Sequence, residues 1–124
     1  MNDDQISFRV LFRSPKYPVI VVDGDDLWSA SNIEKLGTIY VILKPGEDDA
    51  KLKVIDTSGE EFWYMPEQYV LAPGFSFQKW TKKQIIELFN NSETAKEENI
   101  QYPLKSLSNK KLSKIVSDIC DLLS

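Results

Sequence analysis

The sequence predicts an α+β domain: a curved antiparallel sheet or small barrel of about five strands, followed by two C-terminal helices packed on it. Three observations lead there. Apolar residues alternate with a period of two over short segments in residues 1–80, and short turns rich in Pro, Gly and Ser separate those segments. Over residues 81–124 the period changes to that of amphipathic helices. At 124 residues the chain fits a single domain, 1–124, large enough to bury a core without disulfides or metals.

The first strand spans residues 6–13. Ile6, Phe8, Val10 and Phe12 share one face, and Ser7, Arg9, Leu11 and Arg13 the other. Ser14-Pro15-Lys16 turns the chain into a second, more apolar strand, Tyr17 to Val22, with Pro18 confined to its start or to an edge because it donates no ladder hydrogen bond. Asp25 to Leu36 reads two ways. Leu27, Ala30 and Ile33 fall near helical spacing, with Asp25 or Asp26 as cap and Gly37 as stop, but an irregular loop fits almost as well. Thr38 to Lys44 is a β-branched run closed by Pro45-Gly46 and predicts a third strand. Leu52–Ile55 and Phe62–Met65 form a hairpin around Thr57-Ser58-Gly59-Glu60, in which Gly59 supplies a positive φ.

The helical part is more regular. Thr81 and Gln84 make a capping box, Trp80 and Ile85 a hydrophobic staple, and Ile85, Ile86, Leu88 and Phe89 a buried stripe ending at Asn90-Asn91. Ser92 to Asn99 is polar and helical for a turn or two. Ser108 is expected to open the last helix, with Leu107 and Leu112 as a second staple. Its apolar stripe is Leu112, Ile115, Val116, Ile119, Leu122 and Leu123. That stripe suits packing on the sheet; docking on a partner is the rival use.

Composition excludes several chemistries. The chain has no histidine and one cysteine, Cys120, so Ser–His, Cys–His and His-ligated metal mechanisms lack their base or ligand. A lone cysteine forms no internal disulfide. The start, Met1-Asn2-Asp3-Asp4, is acidic where a signal peptide would be basic, and the longest purely apolar run, Val19 to Val22, cannot span a bilayer. A cytoplasmic protein without a membrane partner is therefore expected. Residues 1–80 carry 13 acidic and 8 basic side chains, whereas residues 81–124 carry 6 and 7. Acidity clusters at Asp23/Asp25/Asp26, Glu47/Asp48/Asp49 and Glu60/Glu61, the wrong sign for a phosphate-backbone binder, so nucleic acid is not an expected partner. Solvated turns are the simpler account of such clusters.

Three constellations are candidates for function. Val19-Ile20-Val21-Val22-Asp23-Gly24-Asp25-Asp26-Leu27 resembles the opening motif of haloacid-dehalogenase-type phosphatases. The resemblance implies Asp23 as nucleophile, Asp25 as acid and a magnesium ion between them. It covers nine residues, and Asp26 replaces the family's small residue. The turns here are too short for that family's crossover helices. Val54-Ile55-Asp56 with Gly59, followed by Pro66-Glu67-Gln68-Tyr69-Val70, resembles the closing segment of small barrels of the Src-homology type, in which Pro and Tyr line a groove for proline-rich peptides. The first-strand aromatic motif of that groove is missing, so the resemblance implies a fold and not a ligand. Phe62 and Tyr64 on one side and Trp63 and Met65 on the other make both faces of that strand apolar, and a cover for the second face is expected from the C-terminal helices or a partner.

The third constellation is aromatic: Trp28, Trp63, Trp80, Tyr40, Tyr64, Tyr69, Phe75 and Phe77. Most are expected in the core. Trp28 lies beside an acidic turn in a segment of weak pattern, and reads either as a contact for a basic partner or as a tryptophan tucked under its own loop. Together these readings favour a non-catalytic protein-binding module without a cofactor. In general character it is similar to small acidic immunity proteins that neutralise bacterial toxins, and its expected partner is basic. The partner-binding candidates are Asp23, Asp25, Asp26, Trp28, Asp48 and Asp49. A magnesium-dependent phosphohydrolase using Asp23 and Asp25, or a small-ligand binder, is the alternative.

Overall fold

A computed structural model describes residues 9–10, 14–24, 26–43, 52–65, 70–73 and 79–123, with the backbone alone at 9–10, 40–43, 52, 64–65 and 70. In chain order the elements are β1 (Arg9–Val10), β2 (Val19–Asp23), β3 (Asp26–Ala30), α1 (Ile33–Leu43), β4 (Leu52–Ile55), β5 (Glu61–Met65) and β6 (Val70–Pro73). Four helices follow: α2 (Lys82–Asn90), α3 (Glu93–Glu98), α4 (Ser106–Asn109) and α5 (Leu112–Leu123). The strands form one open sheet in the order β1-β6-β5-β4-β2-β3. Five of them, β6 to β3, are antiparallel neighbours, and β1 adds to β6 in parallel. The expected α+β class with an antiparallel sheet and C-terminal helices is what the chain adopts; the barrel alternative is not, because the sheet does not close.

Alternation along β2 explains the layering. Val19 and Val21 point to one face and Ile20 to the other, all fully buried. On the first face they join Ala30, Val54, Phe62 and Leu71 under Leu36 and Ile39 of α1. On the second, Ile20, Leu27 and Ile55 meet Ile85, Ile86 and Phe89 of α2 and Ile115, Val116 and Ile119 of α5. Each fully buried aliphatic contributes about 1.5–3 kcal/mol. Ile115, Val116 and Ile119 of the α5 stripe are thus used inside the molecule, whereas Leu122, expected in the same stripe, is exposed at the end of the helix.

Three elements differ from expectation. Thr38 to Leu43 is helical, in a helix that begins at Ile33 directly after Asn32, whose Oδ1 accepts from Lys35 N at 2.8 Å as an N-cap. Thr38 relieves its β-branched mismatch by donating Oγ1–H to Glu34 O at 3.1 Å, and Gly37 lies buried inside the helix rather than stopping it. Packing of Leu36 and Ile39 on the sheet overrides local strand preference. Asp25–Leu36, read as helix or loop, holds strand β3 and the first turn of α1 instead.

The third difference is at the last helix, which starts at Leu112 and not at Ser108. Residues 106–109 form a separate turn, and Lys110 is extended (φ −127°, ψ 147°). That extension carries its ammonium to Asp118 Oδ2 at 2.8 Å. The capping box is as read: Gln84 N donates to Thr81 Oγ1 at 3.2 Å and Thr81 N to Gln84 Oε1 at 2.9 Å. The β4–β5 hairpin is also as read, with Gly59 at φ +82°. The first strand beyond Arg9–Val10, the Pro45-Gly46 turn, the segment Pro66 to Tyr69, and Phe75 and Phe77 lie outside the described residues.

Candidate functional site

The β2–β3 hairpin gathers the sequence-derived candidates. Two positions of the sequence separate Asp23 from Asp26, and the first, Gly24, has φ +59°, a left-handed value that a Cβ would strain. Asp23 and Asp26 stand directly opposite each other at its end, followed by Val22↔Leu27 and Val21↔Trp28. Opposed residues share a face, so Asp23, Asp26, Val21 and Trp28 form a row on the α1 side of the sheet. Asp26 is exposed and Asp23 half-buried. No ion pair or hydrogen bond to either carboxylate occurs among the described residues. Like charges placed directly across a ladder destabilise it, by about 0.2–1 kcal/mol on the scale of cross-strand pairs.

Trp28 is on the strand, not in a loop as expected. Half-buried, it packs against the cluster of Val21, Ala30 and Leu36, and it shares its face of the strand with Asp26 two residues before. The structure therefore brings Asp23, Asp26 and Trp28 together. Asp25, Asp48 and Asp49 lie outside the described residues.

The opposite face of the same hairpin borders a small cleft of about 170 Å³, lined by Gly24, Leu27, Leu88, Asn91 and Ser92. Ser92 is buried there as the N-cap of α3, donating to Phe89 O at 2.6 Å and accepting from Ala95 N at 3.2 Å. Leu27 and Leu88 supply its apolar lining, and Asn91 and Ser92 its polar residues. Small-molecule sites are commonly 300–1,000 Å³; this cleft suits one side chain. Sequence reasoning missed it because its walls come from residues more than sixty positions apart, and only Gly24 carried a local signal.

Other polar groups serve the fold. Asp56, 1% exposed, accepts from Lys16 N (3.0 Å), Ser58 N (2.9 Å), Ser58 Oγ (2.6 Å) and Glu60 N (3.1 Å). It thereby holds the β4–β5 turn and the segment before β2. Glu61 accepts from two indoles, Trp63 Nε1 at 2.6 Å and Trp80 Nε1 at 3.1 Å, so the C-terminal part supplies cover for the second face of β5.

Asp118 takes bonds from Tyr102 Oη (2.7 Å), Lys110 Nζ (2.8 Å) and Lys114 Nζ (3.0 Å). Burial pushes its carboxyl up, yet these three donors outweigh burial and hold it at about 2. Burial and the bond to Asp118 raise the Tyr102 hydroxyl in turn. The Cys120 thiol is buried against Val19 O at 3.4 Å, and burial, helped by Asp121, pushes it up to about 12. A thiol so held is not a nucleophile at neutral pH.

No family model, curated protein or solved structure matches this chain. The local geometry bears on the phosphatase resemblance: β2, which ends in Asp23, has antiparallel partners β3 and β4 on both sides, where that family places it in a parallel sheet. Among the described residues no helix is long and apolar enough to cross a membrane.

Proposed function

We propose that the chain is a non-catalytic protein-binding module of the acidic inhibitor or immunity kind, and that its β2–β3 hairpin meets a basic partner. The observation that carries this reading is the opposed pair Asp23/Asp26. It costs the hairpin stability, has no internal cation among the described residues, and stands next to a half-buried Trp28. Charges kept at a cost to the fold favour a role outside the fold. Two unscreened carboxylates steer a cationic surface within about 8 Å at physiological salt, and an accessible indole face then holds an Arg or Lys. The absence of histidine and the buried thiol of Cys120 leave His-assisted and thiol-based catalysis without support.

Affinity capture from the source organism tests the reading, with the wild type and a D23N/D26N variant as parallel baits. A basic protein retained by the wild type and lost from the variant is the expected result. A partner retained equally by both baits, or one of acidic character, overturns it.

A further inference from the structure

Building on that reading, we infer that the outer edge of β3 accepts an extended basic segment of the partner as an added strand. β3 ends the sheet order, and its register with β2 runs unbroken from Val19↔Ala30 to Asp23↔Asp26. In a hairpin with a two-residue loop the closing pair, Asp23/Asp26, exchanges hydrogen bonds, and bonded pairs then alternate. Asp26, Trp28 and Ala30 therefore bond to β2, while Leu27 and Ser29 direct N–H and C=O away from it. Among the described residues nothing outside the ladder bonds to Leu27 or Ser29.

Natural edge strands are usually blunted by proline, lysine, a bulge or short length. The sequence Asp26-Leu27-Trp28-Ser29-Ala30 has no proline, lysine or bulge. Within the strand itself the guard is Asp26, which repels an acidic strand and admits a basic one. For the same reason a second copy of this chain, net charge −4, is the poorer occupant.

Side chains of an added strand alternate as those of β3 do. A residue next to Asp26 or Trp28 lies on the α1 face, where a Lys or Arg finds a carboxylate and an indole. Its neighbour turns to the other face beside Leu27, where the 170 Å³ cleft takes an apolar side chain. The recognised segment therefore alternates basic and apolar residues, by the strand-addition mode.

The probe is a ten-residue, end-blocked peptide of alternating lysine and valine, with a second version N-methylated at alternate residues. Ser29→Pro removes the outward N–H while leaving the bonds to β2, as edge strands tolerate. Titration of the intact protein, followed by circular dichroism and calorimetry, should show binding by the plain peptide. N-methylation of the peptide and Ser29→Pro should each weaken it at least tenfold, and D26N several-fold. Binding that follows D26N but ignores both N-methylation and Ser29→Pro overturns strand addition and leaves the basic-partner reading standing. Binding indifferent to all three, or none to the wild type, overturns both. A wild type that sediments as a dimer, restored to monomer by Ser29→Pro, shows that the edge takes a second copy and overturns the inference. Should Ser29→Pro unfold the protein, the N-methylated peptide on the wild type still decides.

Discussion

Asp56→Ala should destabilise the protein by about 3–5 kcal/mol. The carboxylate is 1% exposed and accepts four hydrogen bonds, three from backbone N–H groups of Lys16, Ser58 and Glu60 and one from the Ser58 hydroxyl. Truncation leaves the three backbone donors without this acceptor. A lost bond of this kind costs about 0.5–1.5 kcal/mol, and more when the partner is charged or the orphaned donor stays dry. Asp56→Asn keeps one oxygen, which can retain the three bonds now made to Oδ1, but sets an NH₂ against Lys16 N–H. It should cost about 1–2 kcal/mol. Urea denaturation of the three proteins, with midpoint and slope fitted together, measures both differences. A cost below about 1 kcal/mol for the alanine variant would refute the reasoning. So would an asparagine variant as unstable as the alanine one, since the fold would then need the charge and not the geometry.

Three more outcomes are open to the same measurement. Ile115→Ala and Ile119→Ala, both fully buried beneath the sheet, should each cost about 2–5 kcal/mol in urea midpoint. Gly59→Ala should be far worse than Gly24→Ala. Both glycines have positive φ, but a Cβ at Gly59 meets Trp80 O at 2.7 Å and Leu112 Cδ2 at 2.9 Å, whereas at Gly24 it meets nothing within 4 Å. Gly24→Ala should stay near 1 kcal/mol and Gly59→Ala should exceed about 2. Asp118 sets an acid limit. Its carboxyl is held at about 2 against an ordinary 3.8, so the native state binds its proton less readily than the unfolded chain. The stability it adds is present above about pH 4 and is lost as pH falls toward 2. With a partly exposed carboxylate screening reduces this to about 1 kcal/mol. The gap between wild type and D118N should shrink across that window; a constant gap would show that the depressed carboxyl is not its source.

How much of this was legible in the sequence varies by element, for physical reasons. The β4–β5 hairpin and the Thr81–Gln84 cap are local devices, and local residues specify them. Helix α1 is not: Thr38, Ile39, Val41 and Ile42 favour strands, and their helical state depends on Leu36 and Ile39 finding a sheet assembled from residues far away. Gly37 misled for the same reason, as a stop signal that close packing absorbed. The end of the chain turned on Lys110, whose extended backbone is fixed by Asp118 eight residues later. At the candidate site, the D-G-D-D spacing marked the acidic turn, and strand pairing added what spacing lacks. Only the register shows that Asp23 faces Asp26, that Trp28 shares their side, and that Leu27 and Ser29 face outward.

The central claim is that the paired carboxylates of the β2–β3 hairpin govern encounter with a basic protein. Association rates of the captured partner, measured by stopped flow from about 20 to 500 mM salt, test it most directly, spanning Debye lengths from well above to well below 10 Å. The wild type should associate faster at low salt and slow steeply as salt rises, while D23N/D26N should start several-fold slower on a flatter line with an unchanged fold. Parallel lines of equal rate for the two proteins would contradict the account.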